Sequence, residues 1–259
     1  MKLPLYQIDA FTSRVFGGNP AAVVLMDEWL ADERLLAIAA ENNLPETAFV
    51  IPRPDVSPLR WFTPSIEMDL CGHATLAAAH VLFMHRFPSQ DRMTFSSRSG
   101  DLVVTKRGDR LVLDFPSRPG NRVEDTNRLV EAIGIKPSAA YRARDLLAIV
   151  ETEEDVRAFQ PDFARIAALD ELGLILSAPG KSVDFVSRFF APRAGVPEDP
   201  VTGSAHCTLV PYWAERLGRR KLTAKQLSAR GGDLECELLG DRVLMAGNAV
   251  EYLRGEISV

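Results

Sequence analysis

One segment of this chain is written twice. Positions 98–113 and 230–245 align at a constant offset of 132, and seven of the sixteen pairs are identical: Arg98/Arg230, Gly100/Gly232, Asp101/Asp233, Leu102/Leu234, Gly108/Gly240, Asp109/Asp241 and Arg110/Arg242. The likeness continues upstream. Phe62-Thr63-Pro64 answers Phe190-Ala191-Pro192 at an offset of 128, and Gly72 answers Gly203 at 131. Chance agreement between two hairpins yields a few such matches, but not the same order of elements around them. The repeat therefore implies two homologous α+β halves, each a strand-rich sheet wrapped on a long helix. The halves are expected at 1–117 and 118–249, joined by a Pro-, Ser- and Gly-rich linker near 116–121, with the C-terminal strand 250–259 returning to the first.

Periodicity fills in the elements. Apolar alternation and short apolar runs predict strands at 5–11, 21–26, 47–51, 59–63, 93–97, 101–107 and 110–115. Asp32 is expected to cap a helix that ends near Asn42-Asn43, and Leu44-Pro45-Glu46 breaks it. An Ala- and Leu-rich buried helix is expected over 74–83. In the second half, strands are expected at 146–150, 173–177, 183–190 and 222–228, followed by two more. A short helix is expected at 163–169, and a long one at 204–217 closed by Gly218.

The two long helices open on related turns, Asp69-Leu70-Cys71-Gly72-His73-Ala74-Thr75 and Glu198-Asp199-Pro200-Val201-Thr202-Gly203-Ser204-Ala205-His206. Each follows a similar lead-in, Arg60-Trp61-Phe62-Thr63-Pro64 and Arg188-Phe189-Phe190-Ala191-Pro192. A strand, a Gly-containing turn and a helix start offer free backbone N–H groups and a positive dipole end to an anion. Two such ends suggest halves that face one small acidic molecule across a cleft.

Residues that break the internal symmetry are the candidates for chemistry. Glu46 stands at a helix-to-strand junction, and its counterpart near Leu172-Gly173 carries no acid. The plain alternative is a solvated loop carboxylate. Asp199 lies just before the second helix, where an N-cap or Asx-turn role competes with a catalytic one. His73 begins the first helix, where the dipole disfavours the imidazolium and leaves a neutral ring able to donate or accept a proton. Capping or packing is the plain alternative. His80, His85 and His206 read as structural or surface residues. No pair of histidines has metal-ligand spacing, so no metal is expected. Cys71 sits where a helix start lowers a thiol pKa, against the commoner role of a buried small hydrophobe. The matching turn has no cysteine, so a two-thiol racemase is not expected. Gly17-Gly18-Asn19 is either a plain turn or a backbone-and-Asn cradle for a polar ligand, and it lacks the dinucleotide and P-loop spacings.

Composition sets outer limits. With 30 basic and 35 acidic residues in mixture, clustered positive charge for nucleic acid or an anionic membrane is missing. No apolar run approaches membrane-spanning length, and polar residues follow the start too closely for a signal peptide. Three scattered cysteines, Cys71, Cys207 and Cys236, point to a reducing, cytoplasmic setting.

Together these stretches resemble the PhzF family of phenazine-biosynthesis-type isomerases, a branch of the diaminopimelate epimerase fold. The resemblance also rests on Gln7-Ile8-Asp9-Ala10-Phe11-Thr12, Gly18-Asn19-Pro20-Ala21-Ala22-Val23 and Asn43-Leu44-Pro45-Glu46-Thr47-Ala48-Phe49. It implies two pseudo-symmetric barrel-like halves, each a strongly curved sheet around a central helix. It implies a cofactor-independent, biosynthesis-type isomerase, usually a homodimer, that moves a proton on a small amino or hydroxy carboxylate in the cleft between the halves. In the type member that substrate is trans-2,3-dihydro-3-hydroxyanthranilate. The family's catalytic glutamate falls on Glu46, its aspartate on Asp199, its histidine on His73 and its pocket serine on Ser204. Gly72 and Gly203 would supply N–H groups to the substrate carboxylate, with Asn19 beside them. The related epimerases use a cysteine in each turn, whereas only Cys71 stands here. A one-cysteine racemase or epimerase, or a carboxylate-binding protein without turnover, are the competing expectations.

Overall fold

The computed structural model describes residues 1–259. The chain runs β1 (Lys2–Ala10), β2 (Asn19–Leu25), α1 (Asp32–Asn42), β3 (Glu46–Val50), β4 (Val56–Phe62), β5 (Glu67–Met68), α2 (Gly72–His85), β6 (Arg92–Ser97), β7 (Gly100–Arg107) and β8 (Arg110–Pro116). It continues through β9 (Asn121–Arg122), α3 (Asn127–Ile133), β10 (Ala139–Arg142), β11 (Leu146–Ile149), α4 (Glu153–Ala158), α5 (Phe163–Ala167), β12 (Leu174–Pro179) and β13 (Phe185–Ala191). A 3-10 turn at Pro192–Ala194 leads to β14 (Val196–Asp199), α6 (Gly203–Leu217), β15 (Lys221–Gln226), β16 (Gly232–Leu239), β17 (Arg242–Gly247) and β18 (Ala249–Ser258). Two compact units result, Met1–Asp114 with Ala246–Val259, and Phe115–Met245.

In the first unit β1 lies antiparallel between β18 and β2, β2 is parallel to β3, and β3 is antiparallel to β4. β4 pairs parallel with β6, and β6 and β7 continue as a meander into β8. The second unit repeats the series. β10 is antiparallel to β11, β11 is parallel to β12, β12 is antiparallel to β13, β13 is parallel to β15, and β15 is antiparallel to β16. The short strands β5 and β14 are appended to β4 and β13 at equivalent places. The repeat seen in the sequence is thus a repeat of strand order and direction.

Each sheet covers a helix. α2 is apolar on nearly every side and is buried from Gly72 to Phe83 except His80, as a helix packed on β1, β2 and β3 must be. The opposite face of that sheet is closed by α1 through Leu35, Ile38 and Ala39 against Val24, Met26, Phe49, Ile51 and Phe62. In the second unit α6 packs on β15 and β16, while α3, α4 and α5 cover Leu146, Ala148, Leu174, Leu176 and Val186. α6 carries Pro211 in its interior. Proline has no N–H for the Cys207 carbonyl one turn back. Arg118 N–H donates to that carbonyl instead, at 2.8 Å, so the helix runs on without an orphaned acceptor.

Three expectations need correcting. Asp32 does not cap α1: Ala31 holds the cap position, and Asp32 accepts from Arg60 Nη1 at 2.8 Å. The tertiary ion pair has drawn the carboxylate away from the local backbone. Asp199 is not the N-cap of α6 either: it ends β14, and Thr202 holds that position. α3 and α4, each one to two turns long, were not expected, and their stability comes from the shared apolar cluster rather than from their own length.

Candidate functional site

The first unit gathers its candidates where β2 and β3 begin. Those strands are parallel, with Ala21 beside Glu46, so both start at the same edge. Gly18 makes the entry into β2 possible. Its φ is +60, and a Cβ on it would lie 2.0 Å from the Ala10 carbonyl oxygen, a space only glycine can share. This turn delivers Asn19 fully buried at the head of β2. α2 starts opposite, with Gly72 as its first residue and His73 as its second.

His73 is the hub. Its Nε2 lies 3.1 Å from Glu46 Oε2, an ion-pair contact whose angles fall outside an aligned hydrogen bond. Its Nδ1 faces the Asn19 amide at 3.1 Å and Cys71 Sγ at 3.6 Å. Glu46 and His73 expose only 8% and 3% of their surface, so the pair sits in a poorly hydrated setting. The carboxylate is buried rather than a solvated loop group. Burial works against a charged ring, yet the charges and contacts of Cys71 and Glu46 outweigh it and raise the His73 pKa well above its usual value. Burial is also the main cause that pushes the Cys71 thiol up, with Glu46 adding to it, so the thiol stays protonated near neutrality. With the thiol neutral, Glu46 is the charge that favours a proton on the facing Nε2 of His73. A neutral ring that keeps its hydrogen on Nε2, towards Glu46, leaves Nδ1 free to accept from the Asn19 amide, so the contacts fit the expected neutral imidazole.

Glu46, Cys71 and His73 present one oxygen, one sulfur and one nitrogen within 4.8 Å of one another. Cys71 addresses Nδ1 and Glu46 addresses Nε2, on opposite edges of one ring. A single ion takes one imidazole nitrogen, so this arrangement suits a proton shared between His73 and Glu46 better than a tetrahedral metal.

The second unit does not copy this acid. β3 meets β4 with Thr47 opposite Phe62, and β12 meets β13 with Leu174 opposite Phe190. The place of Glu46 thus falls on Gly173, where a Cβ would lie 2.4 Å from the Phe189 ring and 2.9 Å from Asp145 Oδ1. The second unit offers Asp199 instead, buried at the end of β14. Thr202 Oγ1 donates to Asp199 Oδ2 at 2.5 Å. Gln226, fully buried on β15, donates through Nε2 to the Asp199 carbonyl at 2.7 Å and to Thr202 Oγ1 at 3.1 Å. Its Oε1 accepts from Thr202 N–H at 2.8 Å. Gly203 and Ser204 are the first two residues of α6. His206, one turn in, donates Nδ1–H to the Thr202 carbonyl at 2.8 Å, and burial lowers its pKa to about 4, so it stays neutral.

Neither α2 nor α6 has a side-chain cap. Their leading N–H groups keep the anion affinity that capping would consume.

The sequence did not single out Thr202 or Gln226. The signal was present, since β15 alternates with Leu222, Ala224 and Gln226 inward, and an amide in an inward series needs a polar partner. It also did not pair the lead-in arginines. Arg60 takes Glu67 through Nε at 2.7 Å and Nη2 at 2.8 Å, and Arg188 takes Glu198 through Nε at 2.7 Å and Nη2 at 2.9 Å. Each guanidinium also lies over the phenylalanine two residues on, Phe62 at 5.1 Å and Phe190 at 5.0 Å.

Comparison with known proteins agrees with this architecture. Residues 8–255 match the family PhzC-PhzF, phenazine biosynthesis-like protein. An uncharacterized isomerase of Pseudomonas aeruginosa is 54% identical over 258 residues, covering 99% of both chains. The crystal structure of a phenazine biosynthesis protein of the PhzF family from Enterococcus faecalis superposes with a TM-score of 0.97 at 46% identity, covering 100% of both chains. A probable proline racemase from Agrobacterium radiobacter shares the fold alone, with a TM-score of 0.65 at 10% identity over 99% of this chain and 92% of that one. A curved sheet around a central helix, built twice, together with these relatives, defines an epimerase-like isomerase of a small molecule. The chain belongs to the PhzC-PhzF family of phenazine biosynthesis-like proteins.

Proposed function

We propose that this isomerase moves a proton between two carbons of a small amino or hydroxy carboxylate, with Glu46 as the group that removes and returns it. The observation that carries the reading is the buried contact between Glu46 Oε2 and His73 Nε2 at 3.1 Å beside the uncapped start of α2. An acid, an imidazole and free backbone N–H groups at one point are what abstraction next to a carboxylate needs. Glu46 takes the proton from one carbon and delivers it to another, so no net redox change occurs and no co-reactant is consumed. His73 holds the carboxylate in place through Nε2. In each unit the N–H groups that lead the central helix, from Gly72 on α2 and from Gly203 and Ser204 on α6, are the ones suited to a carboxylate and the charge that develops beside it. Asp199 serves as the second acid, orienting the substrate amine or hydroxyl. Asn19 braces His73.

A thiol mechanism is the second reading, favoured by Cys71 Sγ at 3.6 Å from His73 Nδ1. Its burial and protonated state weigh against it. The reading of a homodimer with a biosynthetic role is carried by the family likeness.

The test is proton exchange in deuterated water, using a panel of small amino, hydroxy and dihydroaromatic carboxylates and NMR detection. Wild type and Cys71→Ser should incorporate deuterium at carbon, whereas Glu46→Gln should not. Full exchange by Glu46→Gln sinks the assignment, and loss in Cys71→Ser with retention in Glu46→Gln moves it to the thiol.

A further inference from the structure

We propose that Thr202 and Gln226 are positioning residues that aim a proton at Asp199 and hold its carboxyl in one orientation. This rests on the reading of Asp199 as the second acid.

The argument begins with a cap that is missing. Threonine at an N-cap ordinarily turns its hydroxyl oxygen to the N–H groups of the first helical turn. Thr202 occupies the N-cap of α6 and caps none of them. Its hydroxyl is spent on Asp199 Oδ2 at 2.5 Å. A stabilising contact at the helix end has been given up, and both results serve a site: the helix N–H groups stay open, and the carboxylate is fixed.

Direction comes from Gln226. Its Nε2 donates to Thr202 Oγ1 at 3.1 Å, so the hydroxyl oxygen is already an acceptor on that side. The only proton on the hydroxyl is then sent to Asp199. The orientation of the amide is set by its other bonds, because Oε1 accepts from Thr202 N–H at 2.8 Å and Nε2 donates to the Asp199 carbonyl at 2.7 Å. Reversing the amide would break both. Gln226 itself is buried on β15, in register with Gly232 and Ser187 on the flanking strands. The rigid sheet therefore dictates which way a hydroxyl at the helix start points its hydrogen.

Gln226→Glu separates this from mere packing. Glutamate has nearly the same shape and keeps an acceptor for Thr202 N–H, but it presents an acceptor where Nε2 was a donor. It would draw the Thr202 hydroxyl hydrogen away from Asp199. Thr202→Val removes that hydrogen outright, and Thr202→Ser keeps it. The experiment follows the side-chain carboxyl carbon of Asp199 by 13C NMR through a pH titration of the full chain, assigned with Asp199→Asn, and measures deuterium exchange on the carboxylate panel. Asp199 should titrate at higher pH in Thr202→Val and in Gln226→Glu than in wild type, because a donated hydrogen bond favours the charged form. Thr202→Ser should behave as wild type. Exchange should fall roughly tenfold or more in the first two variants, mainly in kcat, as expected for loss of one hydrogen bond to a charged group.

An unchanged Asp199 titration in both variants, with folded protein, overturns the proposal. The two variants alter different residues, so misfolding of one leaves the other to decide. Full exchange by Asp199→Asn overturns the reading of Asp199 as an acid. Loss of exchange in Asp199→Asn, with wild-type titration and exchange in Thr202→Val and Gln226→Glu, overturns the positioning role alone.

Discussion

Arg188 holds Glu198 by two parallel hydrogen bonds, Nε to Oε1 at 2.7 Å and Nη2 to Oε2 at 2.9 Å, and spends its remaining nitrogen on the Phe159 carbonyl at 2.6 Å. The pair clamps β13 to β14 directly before Asp199. Arginine suits the place because its planar fork matches a carboxylate while its flat face rests on Phe190. Only 9% of Arg188 is exposed, so removing it strands the buried Phe159 carbonyl and unpairs a half-buried carboxylate. Arg188→Met should cost about 3 kcal/mol or more in urea unfolding. Lys225→Met, which breaks an exposed contact to Asp233, should cost less than about 1 kcal/mol. Equal losses in the two variants would show that the clamp adds nothing beyond an ordinary surface pair.

Gly18 and Gly240 share a φ of +60 but differ in surroundings. A methyl group on Gly240 meets nothing within 4 Å, so Gly240→Ala should pay only the left-handed backbone cost of about 1 kcal/mol. The same methyl on Gly18 would lie 2.0 Å from the Ala10 carbonyl oxygen, and the β1–β2 connection must shift to admit it. Gly18→Ala should therefore lose clearly more stability, roughly 2 kcal/mol or above, and should also lose exchange activity because Asn19 moves with it. Thermal unfolding and deuterium exchange on both variants check this. A Gly18→Ala protein as stable and active as Gly240→Ala would refute it.

What could be read from the sequence, and what could not, divides along physical lines. The repeat at an offset of 132 predicts the doubled strand order because hairpin turns are local chemistry. The start of α2 at Gly72 and of α6 at Gly203 lies within two residues of expectation because a glycine turn and an apolar run mark both. Asp32 misled because a capping signal is local while its partner, Arg60, lies 28 residues away. The partner of His73 is hidden for a like reason: the helix start can be read from position, but the Glu46 contact needs the parallel pairing of β2 and β3. The alternation of β15 marks Gln226 as a buried amide but does not name its partners, because its three bonds go to a turn 24 to 27 residues earlier. α4 is legible in the sequence, since Thr152 and Asp155 form a reciprocal capping box three residues apart.

The three cysteines should be inert in the native protein. Cys71, Cys207 and Cys236 are all buried and free. Burial is the leading cause that pushes each thiol up, Cys207 to about 12, so thiolate is scarce at ordinary pH. Reaction with an aromatic disulfide reagent at pH 8 should release almost no chromophore from folded protein and three equivalents after unfolding in urea. One fast equivalent in the native state, lost in Cys71→Ser, would instead expose a reactive thiol beside His73 and strengthen the thiol mechanism.

Acid should find a particular weakness at His206. The ring is fully buried, donates Nδ1–H to the Thr202 carbonyl, and has its pKa lowered to about 4 by burial, against 6.5 for an ordinary imidazole. A ring that resists protonation when folded but accepts it when unfolded makes the unfolded state bind the extra proton. The stability is then fully present above about pH 6.5 and drains away as pH falls towards about 4, below which both states are protonated. The full loss from this one group is about 3 kcal/mol. His206→Gln, which keeps a donor at that place, should be less stable than wild type near pH 7.5 and should lose less on going to pH 4.5. Urea midpoints at the two pH values, wild type against variant, measure the difference. Parallel losses in the two proteins would mean that His206 is not the group through which acid unfolds this end of α6.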